Sequence, residues 1–224
     1  MRLTENTWLV VPLYNEAAVV RDVLSRARET FPNIICVDDG SRDNSVDEAL
    51  AAGAHVAVHP INVGQGAALQ TGIDYVLQQT DAKYLITFDA DGQHRVDDAL
   101  AMVEAAENEN LSFILGSRFL SDHLEMGLLK RIVLKTVVAV TRLRSGHKLT
   151  DAHNGLRLIR RDAAEQIHIE QNRMAHASEI VEQLFATGLE WKEMPVRVDY
   201  TEYSQSKGQS LLNSINILVE LIMK

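Results

Sequence analysis

The chain has a single cysteine among 224 residues. No internal disulfide can form, which suits a reducing compartment. Cys36 lies in the apolar run Ile34-Ile35-Cys36-Val37 and reads as a small buried hydrophobe, because nothing nearby in sequence offers the base that a catalytic thiol needs. Positive charge is not in excess. The formal net charge is −9, which argues against general nucleic-acid binding while leaving room for a local basic patch. No stretch rich in Pro, Gly or Ser divides the sequence, and there is no internal repeat or low-complexity segment. Every apolar run stops short of the roughly 18 to 20 residues needed to span a bilayer. Met1 to Asn6 is too short and polar for a signal peptide. These absences predict a chain that is not integral to a membrane, with 46% apolar residues available for one sizeable core.

The first half alternates short β-rich runs with helical patterns. Trp8 to Val11, Ile34 to Val37, His55 to Val58, Tyr84 to Phe88 and Phe113 to Leu115 read as strands. Glu16 to Thr30 (with Asn15 as N-cap), Ser45 to Ala52 (ending at Gly53), Gly66 to Gln79 and Val96 to Glu107 read as helices. Continuous apolar strands alternating with helices predict an α/β fold, a mostly parallel sheet covered on both faces. The second half is less regular. Leu156 to Ile159 and Val196 to Tyr200 read as strands, Ala177 to Thr187 as a helix ending at Gly188. Leu124 to Leu143 mixes apolar residues with Lys130, Arg131, Lys135 and Arg142. That pattern fits an interfacial helix on anionic lipid and fits equally a core helix with a solvated basic face. Ser210 to Met223 reads as a last apolar helix.

Chemistry-bearing residues gather where strands end. Asp89-Ala90-Asp91-Gly92-Gln93-His94 follows the run Tyr84 to Phe88. Side chains alternate along a strand, so carboxylates at i and i+2 share a face. Such a pair is tolerated best with a divalent cation between it and a substrate phosphate. Pro12-Leu13-Tyr14-Asn15-Glu16 closes the first strand and Val37-Asp38-Asp39-Gly40-Ser41 the second. A lone Asp-Gly-Ser is more often a turn former, but three polar clusters on one edge of a parallel sheet mark where ligands bind. Asp38 and Asp39 are adjacent, so one can orient the loop while the other reaches a ligand. Tyr14 either stacks on a base or fills the strand edge. Asn62-Val63-Gly64-Gln65-Gly66 precedes a helix whose N–H groups can hold an anion, although it lacks the Lys of a P-loop. Gly116-Ser117-Arg118 follows the fifth strand, where Arg118 either clamps a diphosphate or forms a surface ion pair. Thr150-Asp151-Ala152-His153-Asn154-Gly155 brings polar groups before a strand, with Asp151 or His153 as base, metal-shell residue or acceptor contact.

These motifs, in this order, resemble the catalytic domain of glycosyltransferase family 2, a GT-A fold, and within it the polyprenyl-phosphate glycosyltransferases. The similarity runs over about residues 8 to 208. It implies a glycosyltransferase domain over 1–208, followed by an apolar helix over 209–224 that meets a membrane, a small membrane protein or a second copy. It also implies roles. Pro12, Tyr14, Glu16, Val37 and Asp39 would hold the nucleoside, with Ala90 beside it. Asp89 and Asp91 would form the DXD site for Mg²⁺ or Mn²⁺, with Gln93 a third contact. Arg118 would touch the diphosphate or sugar, and Lys207 of the Ser206-Lys207 pair would neutralise phosphate. The donor would be a UDP- or GDP-sugar, and the acceptor a polyprenyl phosphate at the cytoplasmic face of the membrane. Transfer would invert the anomeric carbon.

The sequence departs from that pattern in two places. Thr201 stands six residues before Lys207, where the subgroup often has Arg; Arg197 is the nearest substitute. Gly155 stands where some relatives are acidic, leaving Asp151 as the candidate base. A lipid phosphate is already anionic and needs none. Three other readings follow from the same residues. Transfer to a saccharide hydroxyl would require Asp151 or His153 as base. A nucleotidyltransferase would place a Gly-rich loop with Arg or Lys where Pro12 to Glu16 stand. A plain nucleotide-binding module would leave Gln93, Arg118 and Lys207 without a role.

Overall fold

Thr7–Leu13 is buried along nearly its whole length, as a strand covered on both faces must be. It is β1, and it pairs in parallel with β2 (Asn33–Asp38) on one side and β4 (Tyr84–Thr87) on the other. The computed structural model, which describes residues 3–120, 149–151 and 154–199, continues outward with β3 (His55–Val58), β5 (Phe113–Ser117), β6 (Arg157–Arg160) and β7 (Trp191–Pro195). The sheet order is β3-β2-β1-β4-β6-β5-β7. Five helices of two turns or more flank it among the described residues: α1 (Val20–Arg28), α2 (Ser45–Ala51), α3 (Gln65–Gln79), α4 (Val96–Glu109) and α5 (His176–Ala186).

Strand alternation splits the core in two. Leu9, Val11 and Ile86 face α1 and α4, meeting Leu24, Met102 and Val103. Val10, Leu85 and Phe113 face the other way, onto Leu69 and Ile73 of α3 and Ile180 and Leu184 of α5. The expected α/β architecture, a mostly parallel sheet between helices, is what forms.

One strand reverses direction. β6 is antiparallel to both β4 and β5, whereas β5 and β7 run parallel. The carboxyl ends of β1 to β5 and β7 therefore share an edge with the amino end of β6. That single reversal brings residues 149–151 and 154–156 to the edge that already holds the strand-end motifs.

Two expectations change. The first helix starts at Val20, and Val19, not Asn15, precedes it. Asn15 sits in the left-handed region at φ 54°. The cause is tertiary: the N–H groups of Asn15, Glu16 and Ala17 donate to Ser41 Oγ, Ser45 Oγ and Asp43 Oδ2 at 2.9, 2.8 and 3.1 Å. Side chains of the second loop thus hold the first loop open where local signals favour a helix. The last strand is Trp191–Pro195, upstream of the expected Val196 to Tyr200. Its register follows Trp191, which stacks on Phe113 at 6.0 Å and meets the edge of Phe185 at 4.7 Å. Val196 onward instead leaves the sheet, with Val198 bridged to His94. The reversed β6 lies in the interior of the sheet, between β4 and β5. The segments Leu124 to Leu143 and Ser210 to Met223, with Lys207 and His153, lie outside the described residues.

Candidate active site

The loops after β1, β2 and β3 enclose a cleft of ≈ 470 Å³ whose lining includes Tyr14, Asp38, Ser41, Arg42, His59 and Ile61. Tyr14 is exposed above it. Pro12 pairs with Val37 beneath, in the register of β1 on β2. The adjacent aspartates divide their work. Asp39 orients the loop: Oδ1 accepts from Val63 N at 2.9 Å and Oδ2 from Gly64 N at 2.7 Å. His59 Nδ1 is 2.9 Å from Asp39 Oδ1, and its Nε2 is 3.0 Å from Thr71 Oγ1. Asp38 Oδ2 accepts from Ser41 N at 3.0 Å, while its buried Oδ1 has no hydrogen-bond partner among the described residues. Asp39 thus shapes the wall of the cleft, and Asp38 lines the cleft itself.

This arrangement changes the reading of the Asn62 to Gly66 loop, three of whose N–H groups are already taken within the chain. Asp39 takes those of Val63 and Gly64, and Asn172 O takes that of Gly66 at 2.9 Å. For Val63 and Gly64 the anion is the chain's own carboxylate.

Beyond β4, Asp89 and Asp91 lie beside one another, as their electrostatics report. Burial, and then the charge of Asp89, push the Asp91 carboxyl up to about 6. Burial also opposes ionisation of Asp89, but His94 and then Arg157 outweigh it and hold that carboxyl below its usual range. His94 Nε2 is 2.9 Å from Asp89 Oδ2, and Gln65 Nε2 donates to Oδ1 at 3.2 Å. Asp91 Oδ1 accepts from Gln93 N at 3.0 Å. The stretch after β7 pins this turn, since Asp199 N donates to Gln93 O at 3.0 Å. Arg197 is exposed, with its own N–H on Asp98 at 2.8 Å.

At the end of β5, Arg118 meets Asp151 in a two-pronged ion pair, Nε to Oδ2 at 2.7 Å and Nη2 to Oδ1 at 3.0 Å. Glu193 of β7 fixes the partner loop by accepting from Thr150 N and Asp151 N. The sheet edge therefore unites Pro12, Tyr14, Glu16, Val37, Asp39, Asp89, Ala90, Asp91, Gln93, Arg118 and Asp151, and it pairs Arg118 with Asp151.

Sequence reasoning gave no role to Gln65, His94, Arg157 or His176. Arg157 is buried in β6, and its Nη2 has no hydrogen-bond partner among the described residues. Burial lowers its pKa to about 10, against the support of Asp89 and Asp151. His176 is held neutral, lowered to about 4 by burial, and its Nδ1 lies 2.7 Å from Arg173 O. The available signal for Arg157 was a charge inside the apolar run Leu156-Arg157-Leu158-Ile159.

No group of three His, Cys, Asp or Glu side chains gathers at metal-ligand spacing among the described residues. Two neighbouring carboxylates do suit Mg²⁺ or Mn²⁺, which keep waters and substrate phosphates as remaining ligands. They do not suit a closed four-ligand zinc site.

Comparison with known proteins places this geometry. The family model described as "Glycosyl transferase family 2" matches residues 8–168. The chain belongs to glycosyltransferase family 2. As a family 2 glycosyltransferase it is 36% identical to an uncharacterised protein of Methanocaldococcus jannaschii, over 98% of this chain and 92% of that one. It is 28% identical to the UDP-N-acetylglucosamine–dolichyl-phosphate N-acetylglucosaminyltransferase of Methanococcus voltae, over 96% and 94%. Polyprenol monophosphomannose synthase of Mycolicibacterium smegmatis is 29% identical, over 75% and 67%. Among solved structures, glucosyl-3-phosphoglycerate synthase from Mycobacterium tuberculosis, in complex with Mn²⁺, UDP and glucosyl-3-phosphoglycerate, aligns with a TM-score of 0.68. It does so at 17% identity, over 96% of this chain and 79% of that one. At that identity the likeness shows the GT-A fold.

Proposed function

We propose that this glycosyltransferase moves a sugar, with inversion, from a nucleotide sugar to a polyprenyl phosphate at the cytoplasmic face of a membrane. The observation that carries the donor half is the shared edge, where a cleft opens at the ends of β1, β2 and β3 and the Asp89–Asp91 pair follows β4. Tyr14 offers a ring to a base, and Asp38 offers an acceptor oxygen to a base or ribose. Asp91, with Asp89 and Gln93, would hold Mg²⁺ or Mn²⁺. When bound, the cation supplies charge stabilisation to the leaving nucleoside diphosphate.

Two features of the site support an anionic acceptor. Asp151, the candidate base for a hydroxyl acceptor, is ion-paired with Arg118. Gly155 brings no acidic side chain, and one there would press on Asp89, since a Cβ would lie 2.6 Å from Asp89 Oδ2. A phosphate oxygen needs no deprotonation. It attacks the anomeric carbon from the face opposite the diphosphate, its bond to that carbon forms as the carbon–diphosphate bond breaks, and the nucleoside diphosphate leaves. The names of the dolichyl- and polyprenol-phosphate relatives point the same way. Among the described residues no helix is long and apolar enough to cross a membrane.

The deciding assay presents UDP- and GDP-sugars with Mn²⁺ or Mg²⁺ to vesicles carrying undecaprenyl or dolichyl phosphate, and mass spectrometry reads the lipid. A lipid-linked monosaccharide is expected. Turnover with soluble saccharides and none with the lipid phosphate would transfer the assignment to glycan hydroxyls.

The Asp91 carboxyl predicts a pH dependence. The unfolded chain releases this proton near pH 3.8, while the fold retains it to about 6. Between those values the folded state binds more protons, so this group makes the metal-free protein less stable as pH rises. A bound cation reverses that contribution. Manganese should therefore raise Tm more at pH 7.5 than at pH 5, and its affinity should fall about tenfold per unit once pH drops below the Asp91 pKa. An affinity that is flat from pH 7.5 to 5 would remove Asp91 from the ligand set.

A further inference from the structure

Asp89 is held by residues from three separate parts of the chain. Gln65, at the head of α3, donates to one oxygen, and His94 contacts the other at 2.9 Å. The third contact is a matter of space. A Cβ on Gly155 would lie 2.6 Å from Asp89 Oδ2 and 3.0 Å from His94 Nε2. We propose that His94 and Gly155 are positioning residues for the metal site: His94 fixes the Asp89 carboxylate by a hydrogen bond, and Gly155 leaves the room in which that pair sits. The proposal rests on the metal-dependent reading of the site given above.

Three hydrogen bonds hold the backbone around residue 155. Thr87 Oγ1 donates to Gly155 O at 2.5 Å. On one side Leu156 N donates to Asn154 Oδ1 at 2.9 Å, and on the other Gly116 N donates to Leu156 O at 3.0 Å. Gly155 is absent from the positive-φ glycines, so an alanine meets no backbone strain there. A methyl at this position must therefore displace the far end of a side chain, and the end it meets is the Asp89 carboxylate. The glycine serves through its lack of volume.

His94 is equally constrained. It is buried, its ring meets the edge of Phe88 at 5.5 Å, and Val198 bridges its backbone. Its Nδ1 is buried without a hydrogen-bond partner among the described residues. Nε2 is the ring nitrogen that faces the carboxylate, so it is the donor of this hydrogen bond. This is the arrangement by which outer residues orient metal-binding carboxylates, whose loss weakens metal affinity roughly 10- to 100-fold.

The test measures Mn²⁺ binding to the UDP-bound full chain by electron paramagnetic resonance, which reads free Mn²⁺ and needs no turnover. His94→Phe keeps the ring and removes the donor; His94→Gln restores a donor; Gly155→Ala adds the single methyl. His94→Phe and Gly155→Ala should each weaken Mn²⁺ binding by about 10-fold or more, with Tm close to that of the parent. His94→Gln should recover most of the loss. In the transfer assay the same two variants should need more Mn²⁺ for half-maximal rate yet approach the parent kcat at saturation. Parent-like Mn²⁺ binding in His94→Phe and Gly155→Ala overturns the assignment and leaves the metal reading intact. No Mn²⁺ binding by the parent chain overturns the metal reading, and this assignment with it. Should Gly155→Ala lose stability, the comparison of Phe with Gln at position 94 decides alone.

Discussion

Asp91→Ala should reduce kcat by on the order of 10³, because a metal's charge stabilisation is worth several kcal/mol and each ~1.4 kcal/mol is a factor of ten. Asp91 is singled out over its neighbour by what each oxygen touches. Both oxygens of Asp89 already meet side chains, His94 and Gln65. Asp91 spends Oδ1 on the backbone N–H of Gln93, and its carboxyl is the one that burial and a like charge push up to about 6. A group that pays to be ionised in the empty site gains most when a cation arrives. The substitution should leave metal-free binding of the nucleoside diphosphate within about threefold, since the cleft lined by Tyr14 and Asp38 lies on the other side of β1. Steady-state rates and metal-free nucleotide titration check both halves. A variant retaining near-parental kcat would remove Asp91 from the reaction.

Asp151→Ala should cost about 3 to 5 kcal/mol of stability, the usual penalty for removing one partner of a buried ion pair. Its carboxylate is almost wholly buried and takes both prongs of Arg118. Arg157, also buried, leans on the same charge. Removing the carboxylate would leave two guanidinium groups close together in a confined space. Urea denaturation reads the loss directly. The outcome also separates two roles for this residue. If Asp151 serves the fold and the placement of Arg118, stability falls with activity, and Asp151→Asn recovers little of either because the charge is what matters. If Asp151 were also the base of a hydroxyl transfer, kcat would collapse with saccharide acceptors even where the variant remains fully folded.

The part of the candidate site built on β1, β2 and β4 was legible because its signals are local. Each of these strands is an apolar run that ends in its polar cluster, and a strand delivers that cluster to a known edge. The part around Asp151 and Gly155 was not, because a four-residue strand carries no mark of its direction. Arg157–Arg160 reads identically whether parallel or antiparallel, and its direction decides that residues 149–151 and 154–156 join the site. The last strand carries Lys192 and Glu193 in its interior, so its pattern is weaker than that of Val196 to Tyr200. The aromatic contact of Trp191 outweighs pattern there. Asn15 looks like a helix cap in sequence, and its true partners, Ser41 and Arg42, lie on another loop. His94 and Gly155 were visible as letters, but their meaning is a distance between segments about sixty residues apart.

The reversal of β6 has a consequence for which parts of the chain meet at this rim. The other strands that reach the edge do so as they leave the sheet, whereas β6 reaches it as the chain arrives. Residues just ahead of a strand therefore face residues just behind its neighbours: Gly155 stands against Asp89, and Asp151 against Arg118. Two stretches distant in sequence close on each other like the halves of a clasp, and a change in the approach to β6 is felt at Asp89 without passing through β1 or β2.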